Sequence, residues 1–244
     1  MKRLFFSVLG IATCIFFAAC FLADVTNTDV NEQLDKLGVT ESTIKTDTIG
    51  DTSGGGGNKT NTNVVVKDRS QETRSYYDEI VFNTEFGGRR ETAYKWKTDL
   101  KIYIDGEKPD YLVQELKDIV SELNGIINPI ELKIVSTKSE ANYFVYFGDH
   151  QDFKAKYDLL FPSRLDHNMG YFEVYYDSGN MYVDLYRTTD KEAHKHLLRE
   201  ELTQSLGLLN DSYDYPESIF YQGWTTTTEY APIDVELIDM LYNE

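Results

Sequence analysis

In "HKHLLREELTQSLGLLNDS", residues 194–212, the side chains that could do chemistry fall at helical intervals. His196, Glu200 and Gln204 are spaced by four and form one stripe of a helix; Leu198, Leu202 and Leu206 form another on a largely different face. The leucines belong in a core, and the polar stripe belongs to solvent or to a cleft. Two imidazoles one turn apart on such a helix can hold zinc, and a carboxylate beside the first can activate a bound water. Here the donors are the Glu200 carboxylate, the Gln204 amide and, beyond Gly207, the Asn210 amide, with Glu201 next to Glu200. Carboxamides are weak zinc ligands. Without zinc no water is made acidic enough for Glu201 to deprotonate.

The other donors do not repair this set. His194 and His196 point about 200° apart on a helix, so both cannot face one ion, and they are expected as polar surface near a helix start. Glu200 and Glu201 diverge by about 100° and are not expected to share a site as an acid–base pair. Oxygen donors at Glu200, Gln204, Asn210 and Asp211 make a thin set for calcium or magnesium, which want several carboxylates. No metal or other cofactor is therefore expected. Gln204, with both donor and acceptor capacity, suits a structural cross-link between helix and loop. A buried Glu would need a counter-charge from Arg199, Arg89 or Arg90. His150 and His167 are expected at the surface. The 18 tyrosines mostly fill sheet faces, and Thr225–Glu229 forms an irregular loop at the cleft rim.

The elements that must position these groups are legible in the pattern. Lys95–Asp105 alternates Trp96, Leu100, Ile102 and Ile104 with polar residues, as a strand does. Pro109–Ile126 places Leu112, Leu116, Ile119, Val120 and Leu123 at helical spacing. Ile130–Ser136 and Ala141–Gly148 read as strands, and "DFKAKYDLLF" as a weak helix or loop. Gly170–Arg187 reads as a hairpin turning at Asp177–Asn180. Thr189 and Glu192 predict a capping box for the long helix, which should end at Gly207. Pro232–Tyr242 predicts a last helix. This order implies one α+β domain with a mixed twisted sheet, a long site-bearing helix and a C-terminal helix.

The order of elements together with "EELTQSLGLLNDS" resembles the metzincin peptidases, whose pattern is H-E-x-x-H-x-x-G-x-x-H. The resemblance implies a zincin-like fold. Aligned on Gly207, it implies that Glu200 stands at the first zinc-ligand position, Glu201 at the general-base position, Gln204 at the second ligand and Asn210 at the third. "PESIFYQ" is similar to the methionine-bearing turn, with Phe220 in the methionine's place, and the last helix is similar to that of the matrixin-like branch. "EFGGRRETAYKW", "REELTQSLGLLNDS" and "SIFY" also resemble a bacterial domain family of unknown function that carries Glu-Glu-Leu-Thr-Gln in place of the zinc motif.

The head of the chain is a different kind of polymer. Met1-Lys2-Arg3, an apolar run to Phe17 and then Ala18-Ala19-Cys20 follow the grammar of a signal peptide over residues 1–19, and the last four residues resemble a lipobox with Cys20 to be acylated. The other cysteine, Cys14, lies in the segment to be removed, so no disulfide is expected. Residues 20–74 are rich in Thr, Asn, Asp and Gly and read as a disordered tether reaching about 40 Å, with the folded domain at 75–244. A net charge of −17 excludes nucleic acid as a partner and leaves membrane attachment to lipid at Cys20. The expectation is a bacterial cell-envelope lipoprotein carrying a catalytically degenerate zincin-like domain. That domain would be a noncatalytic module binding an extended peptide or an envelope protein. The alternatives are a metal-dependent peptidase or hydrolase with an unusual metal site, and a purely structural envelope protein.

Overall fold

A computed structural model describes residues 69–85 and 87–244. The expected signal segment, Cys20 and the tether as far as residue 68 lie outside the described residues. The elements are α1 (Gln71–Phe82), β1 (Leu100–Gly106), α2 (Asp110–Ile126), β2 (Leu132–Ile134), β3 (Tyr143–Gly148), α3 (His150–Lys156), β4 (Gly170–Val174), β5 (Gly179–Asp184), α4 (Lys191–Gln204) and α5 (Pro232–Asn243). The five strands form one sheet in the order β2-β1-β3-β5-β4. All neighbours are parallel except β4, which runs antiparallel to β5 at one edge.

Alternation sorts the sheet into two faces. Tyr143, Val145 and Phe147 of β3, with Met181 and Val183 of β5, face a core that includes Leu112, Leu116, Leu198, Leu202 and Leu206 of α2 and the long-helix segment. The other face carries Tyr146, Tyr171 and Tyr182, closed by Phe153 and Leu165. The leucine stripe thus seats α4 on the sheet as its spacing predicts.

Several boundaries differ from the expectation, each for a local reason. The capping residue of α4 is Asp190, not Thr189: its side chain accepts from the Glu192 amide at 3.0 Å, while its own amide donates to Thr188 Oγ1. The hairpin turns earlier, over Tyr175–Ser178, with the Tyr175 amide bonded to the Ser178 carbonyl at 2.8 Å, so Gly179 and Asn180 already belong to β5. Trp96 lies before β1 rather than in it, and its indole Nε1 donates to the Ser205 carbonyl at the end of α4. Helix α1 takes in residues 71–74, which composition had assigned to the tether. Ser70 caps it through the Thr73 amide, and Tyr76, Ile80 and Val81 are buried. Arg69 holds this corner against α5 by pairing with Asp239, Glu236 and Glu244.

After Gln204 the chain turns through Gly207, whose φ of 124° and lack of a side chain are both required: a Cβ there would lie 2.1 Å from the Tyr94 carbonyl oxygen. That turn brings 208–212 back alongside α1, where the Asn210 amide donates to the Ile80 carbonyl at 3.1 Å.

Candidate functional site

The C-terminal half of α4, the 208–212 return and the start of β4 meet in one cleft. Glu200, Glu201 and Gln204 come from the helix and Asp211 from the return. Glu85 joins them from the segment after α1. That segment folds back on itself through a bridge between Asn83 and Arg89, and the Glu85 amide donates to the Leu209 carbonyl at 3.3 Å. Sequence reasoning missed Glu85. The signal was the adjacent Gly87-Gly88 pair, both at positive φ, which marks a tight reversal next to it.

The two amides are engaged within the protein. Gln204 Nε2 donates to Asp211 Oδ1, and Asn210 Nδ2 donates to the Asp211 carbonyl at 2.7 Å. Gln204 therefore ties α4 to the return, while Asn210 stiffens the return itself. Phe220 is fully buried in the core, and its carbonyl accepts from Ser212 at 3.0 Å. Among the described residues no group of three or more His, Cys, Asp or Glu stands close enough to hold a metal ion.

The carboxyls dominate the electrostatics. Desolvation, then repulsion by the other carboxyls, pushes Glu200 and Glu201 well above the ordinary glutamate range. Asp211 is pushed up to about 8 by burial and by Glu85, with the Gln204 amide opposing. Glu85 is raised by desolvation, and Arg164 opposes it. Glu200 thus feels the charge of Glu201 as well as that of Asp211 and Glu85.

His194 and His196 are not the polar surface residues expected, whereas His167 is exposed. His194 and His196 are each 3 % exposed. His194 Nε2–H donates to the Thr188 carbonyl at 3.0 Å, and Nδ1 accepts from the Tyr111 hydroxyl at 2.6 Å. His196 Nδ1–H donates to the Thr227 carbonyl at 2.8 Å, and its Nε2 faces Glu200 Oε2 at 3.4 Å. The two rings point to different elements, α2 and the 225–227 segment, as their two-residue spacing requires. Burial lowers both pKa values, so both stay neutral. His150, at the start of α3, lies 3.6 Å from both Asp149 and Asp184.

Arg199 does not neutralise the cleft either. It points to α2, where it pairs with Glu115 at 2.9 Å and Glu122 at 2.6 Å, and it stacks over the Tyr230 ring at 4.6 Å. Arg89 pairs with Asp78. Among the described residues, no Lys or Arg forms an ion pair with Glu200, Glu201 or Asp211.

Stability should therefore depend on pH in a defined sense. The cleft carboxyls hold protons in the folded protein that they lose in the unfolded chain, so their burial costs nothing below about pH 4 and progressively more up to about pH 8. The histidines act oppositely, costing stability only below about pH 6.5. The melting temperature is expected to fall between pH 6.5 and 8.5, where only the carboxyls contribute. Asp211→Asn should recover about 1–2 kcal/mol at pH 8.5, after discount for residual solvent. A calorimetric profile that rises over this interval would contradict the buried-carboxyl account.

The sheet edges differ beside this cleft. At β2 the side chain of Asn124 plugs the edge, donating to the Leu132 carbonyl at 2.9 Å and accepting from its amide at 2.8 Å. At β4 the pairs with β5 direct the backbone of Tyr171 and Glu173 inward, since Met169–Asp184 and Tyr175–Ser178 are bonded. The amides and carbonyls of Gly170, Phe172 and Val174 point outward and have no partner among the described residues. Gly170 abuts the cleft: a Cβ there would lie 2.5 Å from Glu201 Oε1.

None of the curated proteins matches the chain. A solved structure titled "Crystal structure of myroilysin" is similar with a TM-score of 0.41 and 11 % identity, covering 63 % of this chain and 87 % of that one. Another, "Structure of myroilysin", gives 0.39 and 14 %, covering 64 % and 97 %. A family model matches residues 70–244, from the cap of α1 to the last residue of the sequence, and the chain belongs to that family, the proteins of unknown function DUF2927.

Proposed function

We propose that this protein is a bacterial cell-envelope lipoprotein, anchored through Cys20, whose domain is a noncatalytic module that binds an extended peptide segment of a partner along β4. The observation that carries the reading is the unpaired outer edge of β4 beside α4, while the opposite edge of the same sheet is plugged by Asn124. An extended segment pairing there would take its main-chain bonds from Phe172 and Val174, both half-buried. The donor chemistry supports the noncatalytic half: Gln204 and Asn210 spend their amides on Asp211 and its carbonyl, and neither amide is a good zinc ligand. The residues present do not fit zinc, so no step is routed through a metal. The anchoring half rests on the residues Phe17 to Cys20 and on the charge of −17, which offers no basic patch to a lipid surface.

A metal-dependent hydrolase is the competing reading, favoured by the position of Glu201 in a cleft beside an open strand edge. Elemental analysis of the purified full-length chain, with cleavage of a peptide library, separates the two. The expected result is no stoichiometric transition metal and no cleavage. Stoichiometric zinc, with cleavage lost on Glu201→Gln, would overturn the noncatalytic reading.

A further inference from the structure

We infer that the segment paired along β4 carries apolar side chains at two alternate positions, opposite Phe172 and Val174, with a polar residue between them. The inference rests on the strand-pairing reading above and adds what that strand must look like. Residues opposite one another across a strand pair project to the same face of the sheet. At Phe172 and Val174 that face is the one toward the core, because both side chains pack against the main hydrophobic cluster. The two matching side chains of the segment therefore arrive at the rim of the core.

The two ends of that rim differ. At the β2 end, Leu132 is 1 % exposed, and Asn124 occupies both of its backbone groups. The interior strands bury their core-facing side chains as completely, Val145 of β3 and Met181 of β5 among them. At the β4 end, Phe172 and Val174 stay half-buried. So do Met169, just before β4, and Tyr94, whose hydroxyl donates to the Tyr175 carbonyl at 3.2 Å. These four border the core where a further strand would lie. Apolar groups laid against them leave water and cover the rim at once, a gain that polar side chains would forfeit. The opposite face offers nothing comparable. Glu173, between Phe172 and Val174, points away from the core, and four donors occupy its carboxylate. These are the Leu160 and Phe161 amides at 3.0 Å and the Tyr171 and Tyr175 hydroxyls at 2.8 and 2.7 Å. Two carboxylate oxygens have about four acceptor sites, so none is left to recruit a charged group, and the intervening residue keeps its side chain in water.

The test uses the full-length chain and three capped pentapeptides, titrated while the amide signals of Phe172 and Val174 are followed by NMR. The first peptide is Ser-Val-Thr-Val-Ser. The second has threonine, of nearly the same shape, in place of both valines. The third is the first methylated on its three central amide nitrogens. The valine peptide should bind about tenfold tighter than the threonine peptide, and Val174→Thr should bring that ratio down to about threefold. Methylation should abolish binding, since the methylated nitrogens can no longer donate to the β4 carbonyls. Equal binding of the valine and threonine peptides would overturn the apolar selection and leave strand pairing standing. Undiminished binding of the methylated peptide would overturn strand pairing itself, the reading on which the inference rests. No binding by any of the three would overturn both. A tenfold preference that persists in a folded Val174→Thr variant would overturn the placement opposite Val174.

Discussion

Replacing Arg199 with methionine is expected to lower the melting temperature of the full-length chain by on the order of 10 °C. Arg199 is 2 % exposed and joins three elements: α4, which carries it, α2, through Glu115 and Glu122, and the segment before α5, through the Tyr230 ring. Thr203, one turn on, adds a bond to the Tyr230 hydroxyl at 2.7 Å. Methionine keeps most of the packing volume, so the loss measures charge and hydrogen bonds rather than a cavity. The Glu115 side chain, 11 % exposed, would be left without its partner. Breaking a buried pair in this way costs about 3–5 kcal/mol. Glu122, at 44 %, is repaid by water and contributes little. Two comparisons sharpen the expectation. Arg199→Met with Glu115→Gln should melt higher than Arg199→Met alone, because the stranded charge is gone. Arg199→Lys should recover only part of the loss, since one ammonium cannot span two carboxylates. A shift of less than about 2 °C for Arg199→Met would show that α2 and α4 are held by their leucines alone.

Removing the Asp234 carboxylate should cost about 3 kcal/mol and loosen a specific corner. Asp234 is fully buried at the start of α5 and accepts three bonds: from the Ser218 hydroxyl, from the Ile219 amide at 3.0 Å and from the Ala231 amide at 2.8 Å. Ser218 in turn accepts from the Tyr76 hydroxyl of α1 at 3.1 Å. One side chain thus fastens the 216–221 turn to both terminal helices. Burial raises its pKa while the three donors pull the other way. Asp234→Ala leaves those donors buried without an acceptor. Asp234→Asn is no remedy, because one of its two terminal atoms becomes a donor facing a donor. Hydrogen exchange of the Ile219 and Ala231 amides should speed up in both variants by more than at the α2 amides. Uniform acceleration over the whole domain would mean that the carboxylate contributes only to global stability.

The family match begins at residue 70, one residue before α1, and the capping bond from Ser70 gives that boundary a physical meaning. Composition placed the change from tether to domain a few residues later, at residue 75, because Gln71–Arg74 are polar and carry only one buried side chain, Thr73. A helix whose first turn is solvated does not announce itself through hydrophobic content.

What the sequence by itself determined is whatever depends on period. The leucine stripe of α4, the alternation along β1 and β3, the helix over 110–126 and the reversal at Gly207 all follow from spacings of two, three or four residues, and those spacings persist when the chain folds. That Glu200, Gln204 and Asn210 offer one carboxylate and two amides was equally legible, since it is a matter of residue type. What only the tertiary structure decided is which distant groups share a cleft and which are hidden. Glu85 reaches Glu200, Glu201 and Asp211 through a turn far upstream. His194 and His196 are buried by Tyr111 and by the 225–227 segment. Arg199 faces α2 instead of the acids, and one sheet edge is plugged while the other stays open. Coulomb energy and desolvation depend on distances through space and on the exclusion of water, and neither is a function of separation along the chain.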